Sequence, residues 1–497
     1  MLCPVCKTEY GTDEYCTVCG FDDFRTEFLN KAEADLWRDT IVMPFFQEYC
    51  LRFSCQTRGR KLLKYIGTHD VVNIPSGIEI IGKLSFRHCR GIKQIILPTT
   101  IKEIQRRAFA NQKQLQSITL PKSVELIEEN AFDDLNIQIS VEDSTCFRGN
   151  GYYLIDNRND KLLWLYPNQS IPDGETIKII GRCALDNLKI RHDGILTIPE
   201  GVEELSGIII GSFAKRKKVK QINLPKTLIK IGKKALSGLN LDEIVLPPNL
   251  SYIGDFAFSS SSIKELYLPE AISFLGKNIV GNCKKLEKVT VSANNENYYS
   301  LNNCIVDTQK GSVVAFCKTS IIPTLNSVTD IADYAFWHFR GTEIFIPQNI
   351  RSISLYAFYE AGDIRVQVDP NNATFSSSSN CIIEKIKNGK VVFANDLSEI
   401  PLFVDAIGTG ALSNRNKSIV IPQNITTIES QVFSDGLMSQ DDDVEGNEYC
   451  WGYIFCETET MPTGWADDWL GESEAKVFWQ SEWSYIDGAP MPIDKNI

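Results

Sequence analysis

Four cysteines near the start of the chain, Cys3, Cys6, Cys16 and Cys19, form two Cys-x-x-Cys pairs separated by nine residues. That is the ligand pattern of a structural four-cysteine zinc site, in which four thiolates complete a tetrahedron and leave no position open for water. A closed site of this kind folds a short segment and performs no hydrolysis. The expected cofactor is therefore structural Zn2+, held in a ribbon over residues 1–22. Reading a nucleic acid with such a ribbon requires basic or aromatic residues on its knuckles. Here only Lys7 is basic, while Glu9, Asp13 and Glu14 are acidic, and thiolates around a dication add further negative charge.

No other residues form a catalytic pattern. His69, His88, His192 and His338 are scattered, and each reads as structural or surface. Gly408-Thr409-Gly410 lacks the third glycine of a phosphate-binding loop. The expectation is a protein that is not an enzyme.

A second cluster with possible chemistry is basic. Residues 214–238 carry nine bases and no acid, including Lys215, Arg216, Lys217, Lys218, Lys220, Lys230, Lys233 and Lys234. Such a stretch is either a solvated face or an anion-binding ridge. It keeps open the alternative of a nucleic-acid-associated scaffold. The net charge of −12 does not argue against this, because residues 434–497 alone hold 15 acids against two lysines, a local −13, together with five of the eight tryptophans.

The elements that position these residues follow from a repeat. Pro75, Pro98 and Pro121 lie 23 residues apart, and Phe86, Phe109 and Phe132, like Ile81, Ile104 and Ile127, keep the same interval. Three independent marks sharing one period indicate stacked coils. Less regular copies follow up to Pro422. Leu115-x-x-Ile118-x-Leu120 and Leu241-x-x-Ile244-x-Leu246 read as short strands with alternate side chains inward. The following proline, which lacks an N–H, ends the strand ladder. One coil cannot bury its apolar faces alone, whereas a stack buries them continuously. The fold class is thus a mainly β solenoid.

The pattern L-x-x-I-x-L-P, then I-x-x-I, then Ala-Phe, closely resembles the BspA-like leucine-rich repeat family over roughly residues 61–433. It departs from the better-known leucine-rich consensus by placing Pro and a polar turn where that consensus has Asn or Cys. The resemblance implies a curved solenoid used for binding. The exposed strand positions Ile96, Thr119, Asn223, Val245, Tyr267 and Thr290 would form a ladder on its concave face, suited to a protein partner or a glycan. A protein partner is the preferred expectation.

Three interruptions, near residues 151–167, 304–317 and 381–394, read as β-hairpins, a feature the family commonly carries. Asn388-Gly389 suggests a two-residue type I′ turn. A two-residue turn at Lys310-Gly311 would set Cys304 opposite Cys317, although two reduced, partly buried thiols are the favoured reading. Residues 23–60 read as a helical linker, with Phe28, Ala32, Leu36 and Ile41 at helical intervals and an end near Pro44. Trp37 would be a packing anchor. Residues 61–74 resemble a starting cap.

Residues 434–497 read as an acidic, Trp-rich C-terminal cap in which Trp465, Trp469 and Trp479 close the last coil and Asp441, Asp442 and Asp443 form a solvated loop. That segment resembles one found in bacterial members of the family. No apolar run approaches the ~20 residues that span a bilayer. The start MLCPVCKTEY lacks a secretory signal, so a reducing, cytoplasmic location is expected. An exported, surface-exposed binder remains the alternative.

Overall fold

The computed structural model describes residues 2–9, 16, 18, 19, 21 and 31–493, except 111, 133, 134, 173, 191, 340, 414–416, 434–452, 472 and 474. The expectations for Phe28 and for Asp441, Asp442 and Asp443 lie outside the described residues. The chain divides into two units, Met1–Ala235 and Leu236–Ile497. Each is a mainly β solenoid with little helix.

In the first unit, strands Val71–Asn73, Gln94–Ile96, Ser117–Leu120 and Gln138–Val141 stack in parallel, one per coil. A second parallel ladder joins Ile80–Ile81, Glu103–Ile104 and Leu126–Ile127, with Ile81, Ile104 and Ile127 in register. The rings of Phe86, Phe109 and Phe132 stack with centroids 5.5 and 5.7 Å apart. The marks that share the 23-residue period are therefore columns of one buried core.

The polar turn after each proline couples one coil to the coil before it. Thr100 and Ser123 donate hydroxyl hydrogen bonds to the carbonyls of Ile78 and Ile101, each at 2.7 Å. In the second unit Asn349 donates to the carbonyls of Pro323 and Val328 at 3.0 and 2.6 Å. Buried turn carbonyls outside a strand ladder need such donors.

The three interruptions are hairpins, with strand pairs Tyr153–Asp156 and Lys161–Leu165, Cys304–Asp307 and Ser312–Phe316, and Cys381–Glu384 and Lys390–Phe393. Two of their turns bear on the sequence reading, and the one at Asn388-Gly389 differs from it. Asp307 pairs with Ser312 and Cys304 faces Phe316, so Cys304 and Cys317 are not cross-strand partners; both are free thiols. Glu384 pairs with Lys390, which makes Asn388-Gly389 part of a five-residue loop and not a type I′ turn. The reason lies in the array. Each second strand must also pair in parallel with the next coil, Ser312 with Asp330 and Lys390 with Ala406, and that register overrides the local turn preference.

The N-terminal helix does not end near Pro44. It runs Lys31–Trp37, Arg38–Val42 and Met43–Leu51, its middle segment being a π turn in which Met43 N–H reaches the carbonyl of Arg38. A π turn just before the proline accommodates a residue that cannot donate. Leu36 and Ile41 face solvent, while Val42, Phe46, Tyr49 and Cys50 are buried. Trp37 packs edge-on against Phe21 at 6.3 Å.

At the far end, Ile454–Cys456 pairs with Ile419–Ile421 and then with Val477–Phe478. Trp465 and Trp469 are buried there, and the Trp465 indole donates to the Ile425 carbonyl at 3.1 Å. A last hairpin, Trp483–Ile486 with Ala489–Pro492, turns through Asp487-Gly488, both at positive φ. It is the two-residue turn that Asp-Gly favours.

Candidate functional site

The four N-terminal cysteines converge. Their Sγ atoms all lie within 4.8 Å of one another and all four side chains are buried, with Cys3 to Cys19 at 3.6 Å and Cys6 to Cys16 at 3.4 Å. A tetrahedral ion with metal–sulfur bonds of about 2.3 Å needs sulfurs about 3.8 Å apart, so the quartet can hold one metal ion. Backbone bonds shape the knuckles. Lys7 N–H donates to the Cys3 carbonyl at 3.0 Å, and Cys16 N–H to the Phe21 carbonyl at 2.7 Å. Lys7 itself adopts positive φ, which aims both sulfurs of the first pair to one side. The thiols compete for ionisation. Hydrogen bonds from Cys19 and Cys3 hold Cys6 far below the ordinary thiol range, while bonding to Cys3 and Cys6 pushes Cys19 up. A dication would favour all four thiolates together.

This cluster is seated on the array by a residue that the sequence pattern did not single out. The Arg60 guanidinium donates to the carbonyls of Val5 and Gly77 at 2.7 and 2.9 Å and also to that of Pro4. It lies over the Phe46 ring at 5.0 Å and beside Glu79 at 3.6 Å. Gly77 has φ +94°, and a Cβ there would meet the Val5 carbonyl and Phe46. The first coil, the helix and the first knuckle therefore pack as one piece. Arg60 stands 55 residues from Val5 in sequence, so no local spacing could have revealed it.

Of the proposed ladder, Ile96, Thr119 and Asn223 lie in the first unit and Val245, Tyr267 and Thr290 in the second. Thr119 meets Ser140 at 3.0 Å, and Asn223 donates to Thr197 at 3.2 Å. Tyr267 pairs with Thr290 across parallel strands. Val245 is 78% exposed and lies outside any strand. The same strand position carries Phe345, 45% exposed, which pairs with Gln367; the sequence reading did not include this pair.

Within the basic stretch, several cations already serve the fold. Lys215 donates to the Asp186 carbonyl, Arg216 donates to the Gly211 carbonyl, and Lys230 pairs with Glu204 at 3.2 Å. Lys234 sits at positive φ. Lys217, Lys218, Lys220 and Lys233 are exposed. Burial lowers the pKa of Arg216 against the opposing pull of Asp186. The histidines stay apart, His69 against the Tyr65 hydroxyl and His338 against Glu360. At Gly408-Thr409-Gly410 a carboxylate occupies the place where a phosphate would bind: Thr409 donates its N–H and hydroxyl to Glu429 at 2.9 and 3.2 Å.

Comparison with family models matches the BspA type leucine rich repeat region in six copies, over residues 59–147, 178–306 and 311–403. Among solved structures, the chain is similar to a leucine rich cell surface protein from Faecalibacterium prausnitzii, at 18% identity and TM-score 0.32, covering 75% of this chain and 87% of that one. It is also similar to a leucine-rich repeat protein from Eubacterium ventriosum, at 14% identity and TM-score 0.30, covering 85% and 95%. A third, from Bacteroides ovatus, shows 15% identity and TM-score 0.33, covering 74% and 94%. No curated protein sequence matches the chain.

Proposed function

We propose that this chain, which belongs to the family of BspA-type leucine-rich repeat proteins, is a non-enzymatic scaffold that binds a protein partner through the strand face of its solenoid. The observation that carries this reading is the recurrence, within each unit, of exposed side chains from coil to coil. In the first unit Ile96 stands with the Thr119–Ser140 and Asn223–Thr197 pairs, and in the second Tyr267 and Phe345 stand exposed on their strands. Aromatic and aliphatic anchors set among adaptable polar groups suit a protein surface better than a phosphate backbone. A polyanion has less to hold, because part of the basic stretch is already engaged in the fold.

The four-cysteine cluster in this reading holds Zn2+ as a structural ion, forming a zinc ribbon that fixes the knuckles against the first coil. Its closed, all-thiolate donor set supports that role. The described cysteines are all free thiols, which supports a reducing, intracellular location over an exported one.

Affinity capture with the full chain tests the binding reading. Tyr267→Asp and Phe345→Asp should lose the partner recovered with the unaltered chain while circular dichroism stays unchanged. Recovery of the same proteins by both variants would place binding elsewhere. Finding the protein outside the cell on fractionation would reverse the location.

A further inference from the structure

Each hairpin is inserted between the Ala-Phe-type turns of two successive coils, and each insertion opens a seam there. In the first unit the seam between residues 127–132 and 182–187 retains about 20 Å³. In the second unit the seam between residues 280–284 and 335–339 retains about 30 Å³. The third, between residues 351–359 and 408–413, leaves about 300 Å³. The same construction thus gives two closed seams and one cavity at the lower end of small-ligand size.

Register relates the first and third seams, while the second hairpin carries the small Ala315 at the equivalent position and is closed by other contacts. Lys161 pairs with Ile179 and Lys390 with Ala406, so Trp164 of the first hairpin and Phe393 of the third stand at equivalent positions. The indole fills its seam and the smaller phenyl does not. Three residues beyond the paired isoleucines Ile180, Ile331 and Ile407 stand Cys183, Tyr334 and Gly410, all at positive φ. The open seam is the one with glycine there. The second seam is drawn together by Asn278, which donates to the Tyr334 carbonyl at 2.5 Å, and by the Lys277–Asp333 ion pair at 3.2 Å.

We infer that the third seam is a binding site for a neutral, polyhydroxylated ring of monosaccharide size. Arg351, Lys390, Glu384 and Glu429 line it, and their formal charges cancel, so a charged ligand gains no net attraction. Lys390 bridges Glu384 at 3.1 Å and Glu429 at 3.3 Å, and Thr409 donates twice to Glu429 Oε2, which fixes both carboxylates and leaves acceptor capacity on Glu384 and on Glu429 Oε1. A ligand must therefore bring hydroxyl donors, which form charge-assisted bonds to those oxygens. Tyr356 and Phe375 also line it, and aromatic rings offer apolar surface to the face of a sugar ring. On the next coil Gly408 and Gly410 flank Thr409 in the lining, and among the described residues only Thr409 and Ser413 present side chains there.

Ligand-observed NMR of the full chain with glucose, galactose and N-acetylglucosamine tests the site. Saturable binding of one of these sugars is expected, with a Kd of about 1 mM or tighter. Phe393→Trp, which copies the residue that closes the first seam, should weaken it roughly tenfold or more, about 1.4 kcal/mol. Glu429→Gln, which keeps the shape and removes the charge, should weaken binding as well and guards against a fold defect in the larger substitution. The inference is overturned if none of the three sugars binds saturably, or if both variants bind as tightly as the unaltered chain.

Discussion

Arg60 decides how firmly the thiolate clip sits on the array. Its side chain is only 16% exposed, and it satisfies carbonyls of both the first knuckle and the first coil. Replacing it with Met keeps apolar volume over Phe46 but leaves buried carbonyls without donors. Arg60→Met should cost about 2–3 kcal/mol and, in the zinc-loaded form proposed above, speed the release of the ion to a colorimetric chelator. An unchanged release rate would mean that the knuckles hold themselves without the coil. The cysteines were legible because their chemistry fixes their spacing within a few residues. Arg60 was not, since its partners come from the other end of a long stretch of chain and any buried donor would look the same in sequence. The same holds for Leu84, Arg107 and Asn130, all at positive φ before the buried Ser-Phe or Ala-Phe pair. The coil imposes that backbone on unlike residue types, and no common side chain marks it.

At the scale of the element, the prolines, isoleucines and phenylalanines disclosed the coil because each marks one buried column with one period. The polar turns were visible as a departure from the leucine-rich consensus, but their purpose was not. Asn349 is only 7% exposed, and its amide serves carbonyls of the preceding coil. Asn349→Ala should therefore cost about 2 kcal/mol, and hydrogen exchange should quicken at residues 323–331 before it does elsewhere in the second unit. Uniform quickening across that unit would show that the bond is not a local clamp. The hairpins were legible as elements, while the turn at Asn388-Gly389 was misassigned. Asn-Gly and Lys-Gly preferences act over two residues, whereas the parallel pairing of each second strand to the following coil acts along the whole ladder and sets the register.

At the scale of the whole molecule, a stack of coils has no single core, so its stability is a sum of neighbour terms and a disturbance at one end should fade with distance. The first unit offers a direct test, because its first coil is tied through Arg60, Gly77 and Phe46 to the four-cysteine cluster proposed to hold a metal. Stripping the metal with a chelator should abolish protection in the hairpin Cys55–Arg58 with Lys61–Tyr65 and weaken it at Ile80–Ile81. Protection in the strand Gln221–Asn223, many coils further along, should stay as it was. Cys16→Ser should reproduce the same gradient without chelator, which separates loss of the cluster from any other effect of the reagent. If instead exchange rises equally at Ile80–Ile81 and Gln221–Asn223, the unit melts as one cooperative body and the cluster governs the stability of the entire unit. If exchange rises nowhere, the helix Met43–Leu51 alone closes the first coil. In that case the thiolate cluster serves something other than the fold, and its exposed edge around Leu2 and Val18 becomes the place to look for a second partner.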